Sequence, residues 1–256
     1  MPPGAAAAPA PEPGGDGRPP ERVAAVVPAK DEAQRLGATL EALSAVESVD
    51  LVVVVDDGST DETQAIAREH GAATIRHETN MGKARAMTSG AEMVRRLEAE
   101  EGPQRTDRPR ALLFVDADLE DSAASLGVLC VPVLAGEADM AIATLPPQQT
   151  SGGGFGFVVR LARDGIVRLT GRQMTQPLSG MRCLTRESFE SALPLAEGWG
   201  VEVGLTVDVL RNGGRVVEVP VELHHRVTGR DLRSQLHRLR QYRDVRRALR
   251  TRSQRD

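Results

Sequence analysis

The chain has 256 residues, of which 40% are apolar and only 2% aromatic, and its formal net charge is −4. That length fits one large α/β domain, or one domain with appendages, whose core is filled mainly by Val, Leu and Ala. No apolar run approaches the roughly 20 residues a membrane span needs, and the N-terminus lacks the basic start and apolar stretch of a secretory leader, so a soluble, cytoplasmic protein is expected.

Residues 1–20 are rich in Pro, Ala and Gly with few large apolar side chains, and a disordered tail is expected there. From Val23 a strand, loop, helix pattern repeats through a domain spanning 21–230. Val23–Val27, Leu51–Val55 and Ala111–Val115 read as strands, with a shorter one at Ala72–Arg76. Ala33–Leu43, Thr63–Glu69 and Ala84–Ala99 have helical patterns, with Ser59, Thr60 or Asp61 as N-caps. Leu126–Leu134 reads as a helix broken near Pro132, Met140–Thr144 as a strand, and Pro146–Phe157 as a mobile Gly-rich segment. Leu161–Leu169 looks helical, Pro177–Leu184 is a loop entering a strand, and Arg186–Leu193 and Val201–Arg211 are helices on either side of a Gly-rich loop. Arg215–Leu223 alternates as a strand. In the final segment, 231–256, Leu232, Leu236, Leu239, Tyr242, Val245 and Leu249 form one stripe on an Arg-rich amphipathic helix, expected to dock on the protein. Alternating strands and helices imply a mostly parallel sheet with right-handed crossovers.

Charge is unevenly placed. Arg226–Asp256 holds eleven arginines against three aspartates, a surplus of +8, so the remainder carries −12 of the total −4. The only lysines are Lys30 and Lys83, and a lysine offers phosphate a compact charge. Cys130 and Cys183 lack metal-type spacing and read as buried, reduced thiols.

Four short segments carry the chemistry: Pro28–Glu32, Asp56–Asp61, Asn80–Lys83 and Asp116–Asp118. The first, second and fourth directly follow apolar strand-type runs, where an α/β sheet presents its ligand-binding loops. Asp116 and Asp118, separated by Ala117, suit Mg2+ or Mn2+ holding a diphosphate; alone, such a pair is also an ordinary solvated turn. A carboxylate after the second strand suits the imide N–H of uracil, with Asp57 favoured and Asp56 its competitor. Lys83 is a candidate phosphate or ribose contact, or simply an exposed lysine opening a helix.

Together these segments resemble the nucleotide-sugar glycosyltransferases of the family 2 type. The resemblance implies a single GT-A-type (Rossmann-like) α/β domain with a mixed, mostly parallel sheet and a C-terminal helix, its donor half about 21–144 and its acceptor half about 145–230. It also implies that Asp118 contacts the metal, that Asp116 reaches the ribose or metal waters, and that Pro28, Ala29 and Glu32 wall the base and ribose. Related enzymes commonly carry Asn at the position of Asp31 and Gly at that of Ala84.

Gln176–Gly180, Gly198–Leu205 and His224-His225-Arg226 are similar, more specifically, to the glucosyl-3-phosphoglycerate synthase group. There a histidine before arginine completes the metal shell, which maps onto His225. Glu202 maps onto an acid that deprotonates the acceptor or orients the sugar; its alternative is to cap its own helix. Trp199 stacks on a sugar or belongs to the core. Gly153, Gly154, Phe155, Ser179 and Gly180 form the acceptor loop. Phe155 stands where the phosphoglycerate-using enzymes place arginine, which disfavours 3-phosphoglycerate. The expected activity is metal-dependent transfer of a hexose, UDP-glucose favoured, to a small or polyprenyl-phosphate acceptor, with Glu202 and Asp118 catalytic. Nucleic acid is not an expected partner, whereas a homodimer or peripheral contact of the terminal helix with the inner membrane face is. The rivals are a sugar nucleotidyltransferase and a non-catalytic nucleotide-sugar-binding module.

Overall fold

A computed structural model describes residues 18–101, 108–145, 156–222 and 232–254, with side chains of the last segment described from residue 239. One seven-stranded sheet organises the chain: Val23–Ala29 (β1), Val49–Asp56 (β2), Ala73–Arg76 (β3), Ala111–Phe114 (β4), Met140–Thr144 (β5), Arg182–Leu184 (β6) and Val216–Pro220 (β7). Its order is β3-β2-β1-β4-β6-β5-β7, parallel except for β6. β1 shows why the sheet sits centrally. Ala24 and Val26 enter one apolar layer, Val23, Ala25 and Val27 the other, and all five are fully buried. A strand covered on both faces needs a continuous apolar run rather than an alternating one.

Helices α1 (Ala33–Ser44), α2 (Thr63–Glu69) and α4 (Gly127–Leu134) pack on one face. On the other lie α3 (Lys83–Glu101), α5 (Gly156–Thr170), α6 (Arg186–Ser191), α7 (Val201–Arg211) and α8 (Leu232–Ser253). The switch point falls at β1, flanked by β2 and β4, so the loops leaving these three strands share one edge. Antiparallel β6 pairs its first residue, Arg182, with Phe114 at the end of β4. That register carries Ser179 and Gly180 to the loop holding Asp116.

Several expectations change. Pro132 does not break α4, which runs through it to Leu134; Val128, whose carbonyl loses its helical partner, is 45% exposed, where solvent reaches it. α5 starts at Gly156, so Phe157 is helical rather than part of a mobile segment; 146–155 lie outside the described residues. Pro19, placed in the tail, packs beside Gly136, and its carbonyl accepts from Arg108 at 3.2 Å. Residues 1–17 lie outside the described residues. Both cysteines are buried and neither forms a disulfide.

α8 docks by only part of its stripe. Val245, Ala248 and Leu249 are buried, but Leu239 is 65% exposed; the side chains of Leu232 and Leu236 lie outside the described residues. Glycines on its neighbours set the approach: a Cβ at Gly165 would lie 2.3 Å from Leu249, and one at Gly200 2.7 Å from Ala248. Arg252, on the same face, is buried in an ion pair with Asp208 of α7, its Nε donating at 2.8 Å. Among the described residues no helix is long and apolar enough to cross a membrane.

Candidate active site

The ends of β1 and β2 are stitched together before any ligand enters. Asp57 N–H donates to the Ala29 carbonyl at 2.8 Å, and Lys30 Nζ to the Gly58 carbonyl at 3.0 Å. Asp31, with φ 54, accepts from Thr60 N–H at 2.7 Å while its own N–H donates to Ser59 Oγ at 2.9 Å. Asp61 reaches across to the Ala33 N–H at 3.1 Å, capping the first turn of α1 from the neighbouring loop. Ser59 and Thr60 therefore brace loop against loop, while Asp61 also accepts from Thr63 N–H at 3.0 Å at the first turn of α2, whose flanking residue Glu62 makes no side-chain cap bond.

Asp57 spends both carboxylate oxygens on the protein. Oδ1 accepts from Met81 N–H at 2.8 Å and lies 2.7 Å from His77 Nδ1, while Oδ2 accepts from Gly82 N–H at 2.8 Å. Asp56 is fully buried, accepts from Ser59 N–H at 2.8 Å, and lies 3.5 Å from Arg76. Asp57 thus fixes the turn that launches α3 and positions Lys83, while Asp56 holds the loop that follows β2. Gly58 (φ +73) has to be glycine there, because a Cβ would lie 2.7 Å from the Thr79 carbonyl carbon.

Lys83 stands between two acids from different elements. Its Nζ is 2.8 Å from Asp116 Oδ1 and 3.3 Å from Glu202 Oε1. Burial disfavours its charge, but Asp116 and Glu202 more than reverse this and hold its pKa well above the ordinary lysine value. Gly180 closes against the pair: a Cβ there would lie 2.6 Å from Nζ and 3.0 and 3.1 Å from the Asp116 oxygens. Asp118 sits apart, 41% exposed, 3.7 Å from Arg35, which also donates to Glu32 at 2.6 Å. Glu32 has a raised pKa, first because it is partly buried; Arg35 opposes the rise and Asp118 adds to it.

Arg182 and Arg35 are site residues that sequence reasoning missed. Arg182 is fully buried and donates to the carbonyls of Glu202 at 3.0 Å and Ser179 at 2.5 Å, tying the Ser179–Gly180 loop to α7. Burial pulls its pKa down to about 10, with Glu202 and Asp116 opposing. The signal available was a charged residue between Met181 and Cys183 in an apolar strand. For Arg35 it was the i, i+3 spacing from Glu32. Gln176 clamps the Leu145 main chain through both ends of its amide, at 2.9 and 2.6 Å. Trp199 is 43% exposed, hence not a core residue. Gly153, Gly154, Phe155 and His225 lie outside the described residues.

The donor set can be tested against a divalent ion. Asp116 and Asp118 supply hard oxygens beside a cation suited to phosphate, and no group of three or more His, Cys, Asp or Glu is poised for metal among the described residues. One or two carboxylates, with phosphate oxygens and water completing the shell, is how Mg2+ is usually held; the residues fit.

The candidate site on this GT-A-type α/β domain thus gathers the loop edge at the switch point, an acidic turn after β4, and a lysine between that turn and an acid on α7. The glycosyl transferase family 2 model matches residues 24–191, and the chain belongs to that family. It is 30% identical over 202 residues to glucosyl-3-phosphoglycerate synthase of Mycobacterium tuberculosis, covering 73% of this chain and 60% of the relative. Uncharacterized protein MJ1222 of Methanocaldococcus jannaschii is 27% identical over 208 residues, 79% of this chain and 81% of that one. The crystal structure of the M. tuberculosis synthase with Mn2+, UDP-glucose and phosphoglyceric acid matches with TM-score 0.66 and 28% identity, over 91% of this chain and 79% of that chain.

Proposed function

We propose that this chain is a metal-dependent hexosyltransferase that uses UDP-glucose and transfers glucose to a small or polyprenyl-phosphate acceptor. The observation that carries the proposal is Lys83, held between Asp116 at 2.8 Å and Glu202 at 3.3 Å and walled by Gly180. A phosphate-seeking cation thereby lies between a diphosphate seat and an acid on the acceptor side. UDP in the solved structure of the M. tuberculosis synthase with Mn2+ and glucosyl-3-phosphoglycerate supports the choice of nucleotide.

Pro28, Ala29 and Glu32 wall the base and ribose, and Asp56 or Asp57 offers the base its acceptor. The structural bonds of Asp57 make its second duty, fixing the Asn80–Lys83 turn, equally important. Lys83 neutralises the diphosphate, and Asp116 keeps that ammonium on the donor side. Asp118, with His225, holds Mg2+ or Mn2+, which when bound stabilises the charge of the leaving diphosphate. Glu202 orients the transferred sugar or takes the acceptor's proton. Arg182 fixes both Glu202 and the Ser179–Gly180 loop from beneath.

Product analysis tests this. UDP-glucose incubated with the chain and Mn2+ should slowly release UDP, and faster with a competent acceptor. Pyrophosphate release would indicate a nucleotidyltransferase, and binding without turnover a binding module.

A further inference from the structure

Helices α5 and α8 lie side by side and leave an outward face that the donor site does not use. Phe157 is 50% exposed and Leu239 65%, beside a Phe157–Tyr242 ring pair with centroids 5.6 Å apart. A shallow groove of about 510 Å³ runs between them, lined by Phe157, Arg160, Leu161, Asp164, Leu239 and Tyr242. A second, of about 400 Å³, continues from Leu161 along Arg168, Leu249, Arg246 and Arg250. The face therefore has an apolar floor and a rim of four arginines with one acid, in a chain whose net charge is −4. None of these four arginines is in an ion pair among the described residues.

From this surface we propose that the α5–α8 face docks on an anionic lipid bilayer, Phe157 and Leu239 entering the headgroup boundary while Arg160, Arg168, Arg246 and Arg250 meet lipid phosphates. Two features favour that partner. Exposed Phe and Leu flanked by arginines are the composition of an interfacial helix face, and arginine stems lie along apolar surface while their heads reach phosphate. A second copy of the chain fits poorly, because a twofold interface would set this arginine-rich patch against its own copy. The inference concerns where the protein sits and does not depend on the donor assignment.

Flotation of the full chain with vesicles at physiological salt, without donor or metal, tests it. Binding is expected to vesicles of phosphatidylcholine with 30% phosphatidylglycerol, and not to phosphatidylcholine alone. Each arginine near an anionic surface contributes about fivefold to the binding constant, so Arg246→Ala with Arg250→Ala should weaken binding about 25-fold. Leu239→Ser should weaken it severalfold; both variants should keep the wild-type melting temperature, since these side chains are exposed. Three flotation results would overturn the inference: no binding to the anionic vesicles, equal binding to neutral ones, or binding untouched by both variants. Self-association of the free chain that Leu239→Ser abolishes would assign the face to a second copy and overturn it too. None of these outcomes bears on UDP release, so the proposed activity is tested separately.

Discussion

Gly180→Ala isolates the Lys83 seat with one methyl group. Gly180 is not among the glycines with positive φ, so alanine is compatible with its backbone. The added Cβ, however, would lie 2.6 Å from Lys83 Nζ and 3.0 Å from Asp116 Oδ2. The ammonium, at the end of a flexible chain, has to leave its 2.8 Å contact with Asp116. A hydrogen bond to a charged group contributes about 1.5–3 kcal/mol, and a diphosphate seated on a displaced lysine loses a contact of that size. Donor kcat/KM should therefore fall about ten- to hundredfold. Stability should change little, since alanine reduces unfolded-chain entropy by about 0.4–1 kcal/mol, which offsets the local crowding. UDP release from UDP-glucose with Mn2+, followed alongside thermal melting, reads both quantities. Wild-type turnover in a normally folded variant would refute the placement of Lys83 at the diphosphate. A lost fold would show that the crowding falls on the backbone instead.

Asp118→Ala should abolish metal-dependent UDP release while the protein melts normally, with a larger loss than Asp116→Ala; the two rates under Mn2+ titration check this. 3-Phosphoglycerate should be a poor acceptor, about ten- to hundredfold weaker than an acceptor without that charge demand, because Phe155 replaces a charge-assisted contact; acceptor-dependent UDP release measures it. Arg110→Ala should cost about 3 kcal/mol at neutral pH, since the buried Arg110 pairs with Asp50 at 2.7 Å and Glu101 at 2.7 Å. Burial works against the Asp50 charge, but Arg110 and Arg22 override it, and the Arg110 hydrogen bond leads in lowering Glu101. Both folded pKa values are depressed, so this stabilisation is full above the ordinary carboxylate values and is lost as pH falls through the depressed ones. The gap between wild type and variant should therefore begin to narrow as pH falls below about 4, and a constant gap would contradict the assignment.

The sheet centre was legible because β1, β4 and the second half of β2 are buried and their runs are purely apolar. The acidic turn was legible because two acids directly follow such a run. What sequence could not give was competition between partners. Asp57 reads as the base contact with Asp56 its competitor, but sequence could not show that Asp57 also accepts from Met81 and Gly82 N–H and Asp56 from Ser59 N–H. Leu239 matched the helical period of α8, but the surface that buries Val245 and Leu249, built from α5 and α7, does not cover Leu239. Arg182 has no local motif; its importance comes from the antiparallel register of β6, which lays it beneath Glu202 and Ser179. Pro132 failed as a breaker because the helix continues where an unmatched carbonyl can face solvent.

If the Lys83–Asp116–Asp118 edge seats a metal-bound nucleoside diphosphate, UDP binding must depend on the metal. Calorimetric titration of UDP into the chain, with and without Mn2+, tests it most directly. Binding should be at least about tenfold tighter with Mn2+, an enhancement erased by Asp118→Ala and by chelation. Equal UDP affinity with and without the metal, or an enhancement that survives Asp118→Ala, would contradict it.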